Sequence, residues 1–532
     1  MSAAAVAAGT YARLRVTDPR RWRAAASAWR GWAALGGSWA SALAPLVARM
    51  ASAWSGSAAT SALGRLSRWR RILDLFRTLC WEVDQALSEF AAALSRARVL
   101  LSRAVTTAAQ AGLVIDDSGR LSASKAAGVA GGPGMPETAA AGQATAELTA
   151  ALTVAATADA AAADRLIEVA AVAATRPPPR PETLPACTAT PAEVRSWWDT
   201  LTPAQHRWLV ITDSAWVGSL DGVPVPFRDA ANRLLLDRRQ ADLDAAPARH
   251  GPERHRIDGL RRGLRALADR LAQGDGPRAY LLLLDLAGDG RAVVALGDPD
   301  RADNILTHVP GMTADLRSYV GELSRAEQVA VRAAELGPTA STSTVMWLDY
   351  DAPDFVDEAA GVGRAQMGAA ALRRFQDGLR ATHDGAARLT VLGHSYGSLV
   401  VGRAAADPGL AADGVVFVGS PGVGVDNAAD LHVPAGHVWS TTSRSDVIQY
   451  APVAPRSLLG DLVTAAAIPL IGPAIAFATP EDDLWFGRNP SDPSFGGHVF
   501  RSQPEGGHLG YWDAGRPALD GITAIALGAT PP

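Results

Sequence analysis

The chain reads as an α/β protein, a mostly parallel sheet with helices on both faces, preceded by an all-α N-terminal domain. Three observations carry that expectation. From residue 279 onward, short runs rich in Leu, Val, Ile and Thr, too brief for stable helices, alternate with longer segments of helical spacing. Residues 1–175 are instead rich in Ala, Leu, Arg and Trp, with apolar residues at helical intervals such as Leu73, Phe76, Leu79 and Val83. Between them stands Arg176-Pro177-Pro178-Pro179-Arg180-Pro181, a semi-rigid polyproline segment. The expected bounds are therefore 1–175 for the helical domain, 176–190 for the linker and 191–532 for the sheet domain.

At 532 residues there is ample chain for more than one domain and a large buried core. The 50 basic and 54 acidic residues, net charge −4, read as spread along the chain, which argues against a nucleic-acid or other polyanion partner. Cys80 and Cys187 lie far apart without metal-spaced neighbours, so two buried thiols are expected, with a single bridge left open. Residues 1–16 lack a basic segment ahead of a long apolar one, so Sec export is not supported. No apolar run reaches the ~18 residues of a membrane span. The nearest, residues 462–478, is interrupted by Pro469, Gly472 and Pro473.

In order along the chain, two long helical patterns meet at Ala53-Trp54-Ser55-Gly56-Ser57, where Gly and the serines supply a turn and Trp54 can pack across the hairpin. This resembles the Trp-x-Gly helical hairpin of ESX-type (type VII secretion) proteins over residues 15–108. The resemblance implies a small helical partner protein and a cytoplasmic location or export without a Sec signal, although no Tyr-x-x-x-Asp/Glu signal follows. An ordinary hairpin with a core Trp fits the same residues. A small β-hairpin is expected over 112–121, a flexible break over 128–134, and an Ala-rich helix from Pro136 to about residue 174 whose weak apolar stripe packs back on the first hairpin. Thr190-Pro191-Ala192-Glu193 and Thr202-Pro203-Ala204-Gln205 are helix starts, the first with Glu193 as capping-box partner. Runs at 279–286 and 291–297 flank Gly288-Asp289-Gly290 as a β-hairpin. Further strands are expected at 304–313, ending in a Gly loop, and at 342–349, 388–392, 414–419 and 437–442, with helices between them.

One of these strands carries the chemistry. Arg388-Leu389-Thr390-Val391-Leu392 runs into Gly393-His394-Ser395-Tyr396-Gly397 and out into a small-residue helix, the strand, sharp turn and helix of the α/β-hydrolase nucleophile elbow. The bare pentapeptide would also fit a Gly-Ser loop closing a Rossmann-like unit; the context favours the elbow. A serine needs an imidazole base and a carboxylate to orient it, and in this fold they follow in the order Ser, acid, His. Asp446 leaves the last expected strand at the sheet's carboxyl edge and is the candidate acid, with Asp426 as runner-up. His508, in Gly506-Gly507-His508-Leu509-Gly510-Tyr511, is the candidate base; His498 competes but lies in a run that reads as a strand. His394, next to the serine, is expected to pack rather than to act. The oxyanion donors are expected to be the backbone amides of Tyr396 and of Met312 in the loop Val309-Pro310-Gly311-Met312-Thr313, with Thr313 close behind.

Together with Trp197-Trp198 and Gly218-Ser219-Leu220-Asp221-Gly222-Val223-Pro224, the elbow and the His-x-x-Tyr of His508 and Tyr511 resemble an actinobacterial family of α/β-hydrolase-fold proteins of unknown function, over residues 191–514. The resemblance implies an α/β-hydrolase sheet and serine-hydrolase chemistry on a small-molecule or lipid ester, with no metal or organic cofactor; acyl transfer to an alcohol, or a role as a secretion-associated interaction protein, are the alternatives. Residues 451–492 hold apolar helical pieces that fit either a lid or buried packing.

Overall fold

The computed structural model describes residues 3–123, 135–172, 177–246, 250–274, 276–353, 363–406, 409–446, 448 and 483–532. It divides into two compact units, Met1–Arg176 with Gly337–Thr339, and Pro177–Leu336 with Ala340–Pro532.

The first unit is built on two long antiparallel helices. Helix α1 (Ala3–Val16) leads into α2 (Pro19–Ala53), which turns at Trp54-Ser55-Gly56 into α3 (Ser57–Gln110). Gly56 makes the turn with φ 103°, a conformation that Gly adopts without a Cβ penalty. The helices meet through small residues: a Cβ on Gly36 would lie 2.9 Å from the Arg77 side chain, and Ala26 packs on Val83 and Leu87. A short hairpin, β1 (Leu113–Ile115) with β2 (Leu121–Ala123), follows. Helix α4 (Met135–Ala170) then packs Leu148, Ala151 and Ala155 onto Phe90, Leu94 and Leu101 of α3, as its weak stripe predicts. Trp54 does not pack across the hairpin as expected and is 46% exposed. It leaves α2 in extended backbone, so its side chain departs from the small-residue seam that joins the helices.

In the second unit the proline segment is fastened to its own helices. Pro179 and Thr183 carbonyls accept hydrogen bonds from Gln205 and Trp197, and the Ala189 carbonyl accepts one from Arg374. Helices α5 (Pro191–Asp199) and α6 (Pro203–Thr212) both begin with complete capping boxes, each tying down amides that would otherwise lack partners, for about 1 kcal/mol apiece. Helices α7 (Ser214–Ser219), α8 (Val225–Ala245) and α9 (Gly251–Ala272) precede the sheet.

The sheet strands are β3 (Ala279–Asp285), β4 (Arg291–Leu296), β5 (Asn304–Val309), β6 (Thr342–Leu348), β7 (Arg388–His394), β8 (Gly414–Val418) and β9 (Val438–Thr441). A two-stranded hairpin, β10 (Asp483–Leu484) with β11 (Gly487–Arg488), is separate, and β12 (His498–Val499) completes the main sheet. The eight-stranded order is β3-β4-β6-β5-β7-β8-β9-β12, with β4 antiparallel to both neighbours and the run from β6 to β12 parallel. Crossover helices α10 (Tyr319–Leu336), α11 (Gly363–Thr382) and α12 (Gly397–Ala406) join the parallel strands, and α13 (Pro517–Ala526) follows β12. Side chains alternate between the two faces, as strand geometry requires. Leu389 and Val391 of β7 enter one core with Val400 and Phe375, whereas Leu392 enters the other with Ile522 and Trp512.

The outer edge of β3 is covered by side chains of α8 instead of another strand. Asp229 accepts the Leu281 amide at 2.8 Å, Asn232 and Arg228 donate to the Leu281 and Leu282 carbonyls, and Arg233 donates to the Ala279 carbonyl. Asp229 in turn holds Arg233 and Arg278, so these buried charges are paired and hydrogen-bonded.

Both cysteines are free. Cys80 is buried, its thiol pushed up to about 11 by burial; Cys187 is exposed in a turn within the expected linker, so only one of the two expected buried thiols is buried. Among the described residues no helix is long and apolar enough to cross a membrane, and no cluster of His, Cys, Asp and Glu is arranged to hold a metal ion. Of the segment read as lid or packing, 451–492, residues 451–482 lie outside the described residues.

Candidate active site

Strand β7 ends at His394, and the next residue, Ser395, has φ 54°, left-handed for a residue with a side chain. The neighbours force this turn. A Cβ on Gly393 would lie 2.6 Å from the Ser398 Cα, and one on Gly397 2.3 Å from the Val309 carbonyl oxygen, so helix α12 can start beside β5 only because both positions lack side chains. The Ser395 amide donates to the Val418 carbonyl at 3.0 Å, pinning the turn to the end of β8. Strain held by such surroundings is characteristic of a functional turn.

The residue after Val418, Gly419, has φ 54°, and a Cβ there would meet Asp446 Oδ2 at 2.7 Å and the His508 ring at 3.3 Å. The structure thus brings Asp446 and His508 together beside the elbow. His508 Nδ1 lies 3.0 and 2.9 Å from the two Asp446 carboxylate oxygens. Asp446 is fully buried, and burial alone would push its carboxyl up. The His508 ring, the Tyr511 hydroxyl donating at 2.6 Å and the Ile448 amide at 3.0 Å outweigh that cost and hold it below the usual carboxylate range. Tyr511 is itself fixed, because its oxygen accepts the Ser443 amide at 2.9 Å. With Nδ1 facing a carboxylate, Nε2 of His508 is the nitrogen left for chemistry. Ser395 and His508 are not hydrogen-bonded to each other, a looseness common in hydrolases without substrate.

Beneath His508 lies a buried aromatic layer. His394 donates from Nε2 to the His508 carbonyl at 3.0 Å, its ring 4.8 Å from the His508 ring and 4.9 Å from Trp512. His308 stacks on Trp512 at 5.1 Å. Burial, then neighbouring positive charge, pushes His394 well below the usual range and His308 down to about 3, so both are neutral packing groups at ordinary pH.

The other candidates fall elsewhere. Asp426 accepts the Arg488 amide at 3.1 Å beside β11, and exposed His498 lies against Trp439 at the sheet edge, the rings tilted with centroids 4.7 Å apart. Gly311 presses on Ser395, since a Cβ there would sit 2.6 Å from the Ser395 Cβ. The Thr313 amide donates to the Pro353 carbonyl at 2.8 Å, so it is engaged away from the role expected for it as the alternative oxyanion donor. Gly419 escaped the sequence reading, its only signal being its place at a strand end; Tyr511 was singled out by the His-x-x-Tyr spacing, which does not reveal its hydrogen bond to Asp446.

Residues 285–455 match the family described as Alpha/beta hydrolase, a span that contains Ser395 and Asp446 and stops before His508. Uncharacterized proteins of two Mycobacterium tuberculosis strains are 30% identical over 374 residues, covering 63% of this chain and 55% of theirs. The chain therefore spans about half the length of those relatives. An uncharacterized protein of Mycobacterium bovis is 36% identical over 187 residues, 33% of this chain and 69% of that relative. The matched span, these relatives, the sheet order and the strained Ser395 turn agree: the chain belongs to the alpha/beta hydrolase family.

Proposed function

We propose that the chain is a serine hydrolase that cleaves a carboxylic or lipid ester through an acyl-enzyme intermediate. One observation carries the reading: a buried, ionised Asp446 holds Nδ1 of His508 beside a serine in a strained elbow. In the first half-reaction Nε2 of His508 takes the Ser395 proton as Oγ attacks the ester carbonyl, and it returns that proton to the leaving alcohol as the acyl bond to oxygen breaks. The tetrahedral oxyanion is met by the Tyr396 and Met312 amides. Water then repeats the steps, giving up its proton to His508 and releasing the acid. Asp446 stays ionised throughout, keeps the imidazole in the Nδ1–H tautomer and stabilises the imidazolium. These steps call on no metal or organic cofactor.

The test is fluorophosphonate labelling with an ester panel of graded chain length. Ser395→Ala should abolish labelling and lower kcat by about 10⁴ to 10⁶ while leaving the circular dichroism unchanged. Labelling that persists at another serine would refute the assignment.

A further inference from the structure

The even spread of charge suggested by the totals fails in one place. From Asp18 to Asp74 no acidic residue intervenes, and the intervening segment carries nine arginines across α2, the turn and the start of α3. Arg30 is paired with Asp84, but Arg20, Arg21, Arg49, Arg65, Arg68 and Arg70 have exposed side chains and form no ion pair among the described residues.

The same stretch exposes its largest apolar side chains. Ala26, Ala33, Gly36 and Ala40 form the seam of α2 toward α3. Beside that seam, Trp32, Leu35, Trp39 and Leu46 fall within an arc of about 60° at 100° per residue. Trp32 and Trp39 are each 53% exposed. Trp69, between Arg68 and Arg70 on α3, is 61% exposed. Single exposed apolar residues need no explanation; a run of tryptophans along one helix does.

We propose that this part of the helical hairpin docks on the surface of an anionic phospholipid bilayer. Tryptophan combines a broad apolar ring with a polar N–H, which suits the boundary between headgroups and acyl chains. Arginine at the border reaches lipid phosphates while its stem lies along apolar surface. An amphipathic helix with aromatic residues on one side, basic residues at the border and no acidic residue is the pattern of a helix lying in that boundary. A helical protein partner would instead select mainly branched aliphatic knobs with complementary flanking charges; of the large apolar side chains exposed on residues 19–73, six are tryptophan and two, Leu35 and Leu46, are leucine, and no acidic residue flanks them. The inference is independent of the hydrolase reading, because no residue of the candidate site takes part.

Sedimentation of the full chain with vesicles tests it. Phosphatidylglycerol/phosphatidylcholine vesicles should bind the chain, and pure phosphatidylcholine vesicles should bind it far less. Binding to the anionic vesicles should weaken as salt is raised. The variant Trp32→Gln/Trp39→Gln/Trp69→Gln should lose about tenfold or more in partitioning, and Arg49→Gln/Arg68→Gln/Arg70→Gln about fivefold with a flatter salt dependence, both with unchanged helicity. Ser395→Ala should bind as the unaltered chain does, which separates failure of this inference from failure of the site assignment. No binding to anionic vesicles, or binding indifferent to the tryptophan changes, would overturn the proposal. So would a dimer that the tryptophan variant converts to monomer without any vesicle binding, or a single-stranded oligonucleotide that binds more tightly than the vesicles.

Discussion

Glycines tell apart the two parts of this molecule, the elbow at the sheet edge and the long helical hairpin. At the elbow each glycine is dictated by a neighbour: Gly393, Gly397 and Gly311 all sit where a Cβ would come within 2.6 Å of another atom. In the hairpin, Gly31 and Gly64 have nothing within 4 Å of the position a Cβ would take. The elbow is fixed by packing from every side, so its strain persists and its groups are held ready. The two helices of the hairpin hold together along one seam, and outside the part of α3 that packs on α4 they carry exposed side chains available for recognition. Chemistry needs the first kind of region and docking tolerates the second.

The largest effect expected follows from the fixed region. Asp446→Asn removes the negative charge that orients and stabilises His508 without removing the side chain, and kcat should fall by about 10⁴. Asp426→Asn, beside β11, should leave turnover near that of the unaltered chain. The reverse result, measured with the same ester, would mean that the buried carboxylate at His508 is structural.

Next comes stability. Gly397→Ala would place a Cβ 2.3 Å from the Val309 carbonyl, between two backbone segments that cannot move apart without shifting α12 off β5. A loss of about 3 kcal/mol is expected, together with loss of labelling at Ser395. Denaturant midpoints near the unaltered value would show that the elbow is softer than its contacts imply.

Tyr511→Phe should act through Asp446 and not through the substrate. It deletes a 2.6 Å hydrogen bond to a buried carboxylate and the contact that the Tyr511 oxygen makes with the Ser443 amide. Turnover should drop about tenfold with KM little changed. The sign of the pH effect is fixed: Asp446 works ionised, and losing a donor raises its pKa, so activity should begin to fail at a higher pH as the solution is acidified. An unmoved acid limb with an unmoved kcat would leave Tyr511 a packing residue.

The strands from β3 to β9 and the candidate Ser, acid and His could be read from the sequence, for local reasons; the order of the strands across the sheet and the β10–β11 hairpin were not. A short β-branched run, a Gly-x-Ser-x-Gly turn and a Gly-rich loop before a final helix each carry their conformation within a few residues. What could not be read depends on partners distant in sequence. Thr313 was a plausible oxyanion donor until Pro353 proved to hold its amide. Nothing around Gly419 announces that Asp446 and His508 rest against it. Trp54 was expected inside because tryptophan usually is, but extended backbone at the end of α2 directs it outward. The arginine excess of the hairpin was hidden by a net charge near balance over the whole chain.

The smallest effect expected has the opposite sign, and it comes from the hairpin. Gly64 lies inside α3 at an exposed position, with no positive φ and no atom within 4 Å of the place a Cβ would occupy. Nothing in the folded state resists a methyl group there. The unfolded chain, by contrast, loses conformational freedom when glycine becomes alanine. Gly64→Ala should therefore stabilise the first unit by about 0.5–1 kcal/mol. The chemical step should be untouched, since no candidate catalytic residue lies before Pro177. Thermal melting followed by circular dichroism at 222 nm measures the change, helical signal at that wavelength coming from both units. A loss of stability in place of the gain would mean that the exposed side of α3 is packed against something in solution, and the contrast between a region fixed from every side and one held along a single seam would fail at that residue.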